Sequence, residues 1–138
     1  MSKLMTRHVY TSESVSEGHP DKVCDQISDA ILDACLNQDA TAHVGCETAV
    51  GPNLVVNLGE ITCKNWVKIN PQVIAREVVK DIGYDDPSEG FSYDTFNYVC
   101  GIHGQSGDIN MGVSRKRPVD QGAGDQGMMF GYATDATP

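Results

Sequence analysis

His19, Asp21 and Lys22 lie within four residues of one another in "EGHPDK", directly ahead of a segment with helical periodicity. Helix N-termini attract anions through their unpaired N–H groups and the positive end of the helix dipole. A histidine and a lysine placed there could hold phosphate oxygens, and the Asp21 carboxylate could hold Mg2+. The same residues also suit a plain structural role. Aspartate is favoured in a first helical turn, and Lys22 reads equally as a solvated surface residue.

Two further carboxylates, Glu47 and Glu60, fall in a stretch that reads as a hairpin: "HVGCETAV" and "LVVNLGEI" flank Gly51-Pro52-Asn53. If Val50 opposes Leu54, Glu60 joins the face of Val44, Cys46, Val56 and Leu58, and Glu47 takes the opposite face. A carboxylate on an apolar face is costly unless paired or coordinated. The alternative is that both sit at strand ends in water.

"QGAGDQG" at 121–127 spells G-x-G-x-x-G, the spacing of a dinucleotide-binding loop. Its context does not fit, because Pro118 and the basic run Arg115-Lys116-Arg117 precede it where an apolar strand should be. No P-loop pattern occurs either. His8, His43 and His103 are isolated, show no ligand spacing, and read as structural or surface groups.

These residues need a scaffold. Thr6–Ser14 is expected as a short strand. Val23, Ile27, Ala30, Ile31 and Ala34 form one helical stripe, with Pro20 suited to the first turn. After the hairpin, Asn70 caps a second helix, Pro71 opens it, Ile74, Ala75, Val78, Val79 and Ile82 form its apolar stripe, and Gly83 ends it. "FSYDTFNYVC", 91–100, reads as a third strand, and its aromatics, like Trp66, read as core. Eight of the 14 glycines lie from Gly101 to Gly131, which predicts a long glycine-rich loop or lid over about 101–127. The order predicts an α+β fold, a mostly antiparallel sheet with helices on one face.

The 138 residues suffice for one domain at most. A net charge of −9 argues against nucleic acid as a partner, and an acidic chain binding a polyanion such as ATP needs local cations. No run is long and apolar enough to predict a membrane span, and "MSKLMTRHVY" lacks a signal-peptide stretch. Five scattered cysteines without a C-x-x-C pair suit reduced thiols in a cytoplasmic protein.

Taken together, "TSESVSEGHPDKVCDQISDAILDA", "CETAV", "GEIT" and "DQGAGDQGMMFGYATDAT" closely resemble the opening part of S-adenosylmethionine synthetases (methionine adenosyltransferases), from about Tyr10 to Thr137. The resemblance implies that methionine sulfur attacks C5′ of ATP and displaces the triphosphate, which is then hydrolysed to pyrophosphate and phosphate. It implies a polyphosphate contact for His19, Mg2+ for Asp21, a weaker phosphate contact for Lys22, and K+ for Glu47. Glu60 and Gln105 match methionine-binding positions, Asp125 lines the adenosine and methionine side, and His19 and Asp125 are the implied catalytic residues. Residues 105–115 match a gating loop, in which Gly107 stands where Pro is usual and Met111 where Gln is common. It further implies that residues 1–15 form a strand belonging to a neighbouring domain, that 16–138 form one synthetase repeat, and that the active sites form between subunits of a homo-oligomer, a dimer or tetramer. A second expectation is a non-catalytic accessory chain that pairs with a full-length synthetase.

Overall fold

The computed structural model describes residues 8–104, 117–120 and 130–135. Helix α1 spans Pro20–Gln38, strands β1 His43–Gly51 and β2 Leu54–Thr62 form the hairpin, helix α2 spans Pro71–Ile82, and strand β3 spans Asn97–His103. Short 3-10 turns occupy Trp66–Lys68, Pro87–Glu89 and Pro118–Asp120. The sheet order is β1-β2-β3, antiparallel between β1 and β2 and parallel between β2 and β3. The α+β fold expected from sequence is present, with α1 and α2 on one face of the sheet. The third strand joins parallel because α2 carries the chain back across that face before β3 begins.

Helix α1 opens on the expected Pro20, and α2 starts and stops on the predicted residues. Asn70 accepts a hydrogen bond from the Val73 N–H (3.3 Å), Pro71 fills the first position, and Gly83 leaves α2 at φ 108°. The Gly83 and Tyr84 N–H groups close on Lys80 and Val79 carbonyls at 3.0 and 3.2 Å, a Schellman ending. In α1 the buried stripe is Val23, Ile27, Ile31 and Cys35, each four residues from the last, while Ala30 and Ala34 are only half-buried. With Ala75 and Val79 of α2, Val55 and Ile61 of β2, and Phe96, these side chains form the core.

The hairpin register differs from the expected one. Gly51 opposes Leu54 and Val50 opposes Val55, which leaves Pro52 and Asn53 as a two-residue loop. Proline followed by a residue at positive φ (Asn53, 54°) is the arrangement of a type II turn. A shift of one residue exchanges the faces of one strand against the other. Val55, Asn57 and Ile61 turn towards the helices, and Glu47 and Glu60 lie on the same, open face rather than opposite ones. Gly59 is fixed by this pairing: at φ 125° a Cβ would stand 2.0 Å from the Gly45 carbonyl oxygen.

Two expected strands are also corrected. His8–Ser14, the described part of Thr6–Ser14, is exposed and irregular, and no strand among the described residues pairs with it. In 91–100 only the second half is strand. The Thr95 and Phe96 N–H groups turn back on the Ser92 carbonyl, and Arg76 of α2 donates to the Tyr93 and Phe96 carbonyls at 2.6 and 3.0 Å, with its guanidinium 4.3 Å above the Phe96 ring. Phe96 plugs the core from this turn, as expected, and Phe91, Tyr93 and the β3 residue Tyr98 pack half-buried against it. β3 then continues to His103, so residues 101–103 of the expected 101–127 loop are strand. Residues 105–116 and 121–129, which hold Gln105, Gly107, Met111 and Asp125, lie outside the described residues.

Asp39 joins the end of α1 to the segment after β2. Its carboxylate accepts from the Thr41 hydroxyl (2.7 Å) and N–H (3.0 Å), and from the Lys64 N–H (3.1 Å) and Nζ (3.4 Å). The Thr41 hydroxyl, then the Lys64 and Thr41 N–H groups, hold it well below the usual carboxylate range. A depressed acid stabilises the fold above the ordinary aspartate value, and that contribution is lost as pH falls below about 4. In urea titrations at descending pH, the wild type should lose stability through this window, and Asp39→Asn should show a shallower loss. Parallel curves would show that Asp39 carries none of the acid sensitivity.

Candidate functional site

The turn ahead of α1 is built to present His19. The His19 N–H donates to the Ser16 carbonyl (3.0 Å), and the His19 carbonyl accepts the first helical bond from Val23 (2.9 Å). The imidazole itself is the helix cap: Nδ1 accepts the Asp21 N–H at 3.1 Å. A backbone N–H can only donate, so in the neutral ring the proton resides on Nε2. The ring therefore offers Nε2–H as a donor at the end of a helix whose first N–H groups already favour anions.

Asp21 follows with a side chain that is 91% exposed, its Oδ2 3.9 Å from His19 Nδ1. Lys22 pairs with Asp25 at 3.2 Å along the helix surface. Beside them an open cleft of about 500 Å³ lies between the start of α1 and β1, the edge strand among the described residues. Asp21, Lys22 and Asp25 line it from the helix, and Glu47 and Thr48 from the strand. The lining holds three carboxylates against one ammonium, so the cleft attracts cations, and a polyanion would enter only with cations between. Among the described residues no group of three or more His, Cys, Asp or Glu side chains could hold a metal ion.

The thiols in this wall are both shifted towards the neutral form. Burial raises Cys24, and burial, then the nearby Glu47 charge, pushes Cys46 up to about 11. Beneath the cleft runs a chain of polar groups: Ser28 Oγ meets Thr48 Oγ1 at 2.7 Å, Asn57 donates to Thr48 at 2.8 Å, and the Tyr98 hydroxyl donates to Asn57 Oδ1 at 2.7 Å. It crosses from α1 through β1 and β2 to β3. Asn57 is fully buried, and burial raises the Tyr98 phenol well above its ordinary range, so it stays a donor.

Asp21, Lys22 and Glu47 thus come together at one cleft; His19 caps the helix two residues before Asp21 and is not among the residues that line it. Glu60 lies apart from them. It sits on the open sheet face, 29% exposed, with Oε1 4.0 Å from His103 Nδ1. Sequence reasoning passed over His103 as an isolated histidine. Only the parallel register, which sets Glu60 opposite His103, brings the two together, and nothing local in the sequence announces it.

The described fold is an α+β layer with a helix N-terminus and an acidic cleft side by side. The chain belongs to the S-adenosylmethionine synthetase family: the model of the "S-adenosylmethionine synthetase, N-terminal domain" matches residues 7–107. It is 55% identical over 135 residues to the S-adenosylmethionine synthase of Sorangium cellulosum (strain So ce56), covering 96% of this chain and 32% of the relative. It is also 55% identical over 131 residues to the S-adenosylmethionine synthase of Solidesulfovibrio magneticus (strain ATCC 700980 / DSM 13731 / RS-1), covering 95% and 33%. The chain spans about a third of the length of these curated relatives.

The polar chain under the cleft should be costly to break. Asn57→Ala leaves the half-buried Thr48 and Tyr98 hydroxyls without this partner and should cost about 1–3 kcal/mol in urea denaturation. A cost near zero would show that water replaces the amide and that the chain does not hold the strands.

Proposed function

We propose that this chain supplies part of the site at which a methionine adenosyltransferase forms S-adenosylmethionine from ATP and L-methionine, with pyrophosphate and phosphate as the other products. The observation that carries this reading is the single cleft shared by Asp21, Lys22 and Glu47 next to the His19-capped helix start. The identity with synthases supports it.

In this reading the His19 Nε2–H donates to an oxygen of the leaving triphosphate, and Lys22, already paired to Asp25, contributes less. Methionine sulfur is nucleophilic without deprotonation, so the first step needs alignment of sulfur, C5′ and leaving oxygen rather than a general base. Stabilisation of the departing polyphosphate then lowers the barrier. Asp21 suits Mg2+, which is commonly held by one or two carboxylates plus substrate phosphates. When bound there, Mg2+ would neutralise polyphosphate charge. Glu47, on the opposite wall of the cleft, is assigned to K+. Glu60 faces the methionine ammonium, and β3 ends beside it two residues before Gln105 in the sequence. Asp125 is assigned to the adenosine and methionine side, and residues 105–115 to a gating loop.

A homo-oligomer and a cytoplasmic location belong to the same reading. The open sheet face exposes Leu54, Leu58 (49%) and Val99 (50%), an apolar surface suited to a second copy. All five cysteines are free thiols, as suits a reducing compartment. No helix among the described residues is long and apolar enough to cross a membrane.

Calorimetry with Mg2+ and ATP should show Asp21→Asn weakening the Mg2+-dependent part of binding by about tenfold, with the fold retained by circular dichroism. Unchanged Mg2+ dependence would remove the metal role. In sedimentation at micromolar concentration the wild type should run as a dimer or larger, and Leu58→Lys should shift it towards monomer. A wild type that sediments cleanly as monomer would sink the second-copy assignment.

A further inference from the structure

We propose that Tyr84 is a positioning residue for His19, fixing the direction in which the Nε2–H donor points. This rests on the reading of His19 as a polyphosphate contact. The two residues are far apart in sequence and are joined through one peptide group.

The Tyr84 hydroxyl donates to the Gly18 carbonyl at 2.6 Å, at the short end of the range for such bonds. That carbonyl belongs to the peptide unit between Gly18 and His19, whose N–H donates to the Ser16 carbonyl at 3.0 Å. Both polar atoms of one planar unit are therefore held from outside, which sets the plane from which the His19 backbone departs. What remains are the His19 backbone torsions, held by the Val23 N–H on the His19 carbonyl, and the side-chain torsions, held by the Asp21 N–H on Nδ1. The donor direction at Nε2 follows from these four contacts together.

Tyr84 is itself a fixed point. Its N–H closes the end of α2 on Val79, and its carbonyl accepts the Tyr93 N–H at 2.9 Å. Its ring meets Phe91 edge to face, with centroids 5.2 Å apart and planes at 84°. Phe91 in turn stacks on the buried Phe96. The hydroxyl is thus anchored to the core through α2 and the aromatic plug, and it carries that rigidity to the turn ahead of α1. The approach is tight: a Cβ at position 18 would stand 3.1 Å from the Tyr84 oxygen, which would have to give by a few tenths of an ångström to accommodate it. The one other hydrogen bond from the body to this turn's carbonyls runs, among the described residues, from Gln26 to Glu17 at 3.3 Å, one peptide further from His19.

A purely structural tie predicts a different result from a positioning tie. A structural tie lost would lower stability and leave the folded fraction with a normal His19. A positioning tie lost would leave the fold in place and let the imidazole sample other orientations and tautomers. A donor displaced from its target loses most of its value to a charged ligand.

The test uses the full 138-residue chain, 15N-labelled at histidine, with His19→Gln to assign its signals. Tyr84→Phe keeps the ring and removes only the hydroxyl. In the ligand-free wild type the His19 nitrogens should show Nδ1 as acceptor and Nε2 protonated, and Tyr84→Phe should average that signature while circular dichroism stays unchanged. Inorganic tripolyphosphate with Mg2+ should then shift the wild-type His19 signals, and Tyr84→Phe should bind it about tenfold more weakly with the shift reduced. Gly18→Ala, which crowds the same oxygen, should reproduce both effects and add little in the Tyr84→Phe background.

A His19 nitrogen signature in Tyr84→Phe identical to wild type overturns the positioning role, as does a loss of stability with the signature intact. If tripolyphosphate leaves wild-type His19 unmoved, the polyphosphate reading of His19 is overturned instead, and the ligand-free signature alone decides whether Tyr84 positions the ring.

Discussion

The arrangement of this molecule hangs on the buried amide of Asn57. A polar side chain without access to water must find partners, and Asn57 finds them in Thr48 on one neighbouring strand and Tyr98 on the other. Thr48 passes the connection on to Ser28 of α1. A slip of β2 by one residue would put Glu60 or Thr62 where Ile61 is buried, which the apolar packing already resists. The amide adds to this, since the same slip would turn it outward and leave the Thr48 and Tyr98 hydroxyls without it. The register in turn determines which carboxylates share a face, and Glu47 and Glu60 share the open one because Asn57 faces the helices.

Local structure was legible in the sequence wherever its cause was local. Proline at the first position, a side-chain cap and a glycine beyond the end define α2 without reference to the rest of the chain, and its limits agree with them. The stripe of α1 was legible for the same reason, apart from Cys35, a small apolar residue in practice that takes the buried place beside Ala34. The α+β class followed from the order of elements. Register and strand direction were not legible, because they are settled by contacts between distant segments. Arg76 pulling the Tyr93 and Phe96 carbonyls out of a strand, and Tyr98 seeking Asn57, are such contacts.

The candidate site shows the same division. "EGHPDK" announced itself because its residues are adjacent and its helix start is local. That Glu47 faces the same cleft depends on β1 being the sheet edge packed beside α1, which no spacing rule reports. His103 beside Glu60 depends on a parallel pairing made only after α2 has crossed the sheet. In both cases the residue type was visible and the neighbour was not.

The two acidic positions on the open face differ in what covering that face would do to them. Glu47 lies at the edge strand and stays near the cleft, where water and cations can reach it. Glu60 lies a strand further in, already mostly shielded, with Leu58 before it in the strand and His103 opposite. If a second apolar surface closes over Leu58 and Val99, the medium around Glu60 loses water, and the cost of its charge rises unless a cation stays with it. An ammonium group held there would then interact more strongly than in the open chain, because the low dielectric that penalises a lone charge strengthens a pair. On the proposed reading, in which Glu60 holds the methionine ammonium, assembly and substrate binding would in that way favour one another, each supplying a condition that the other needs.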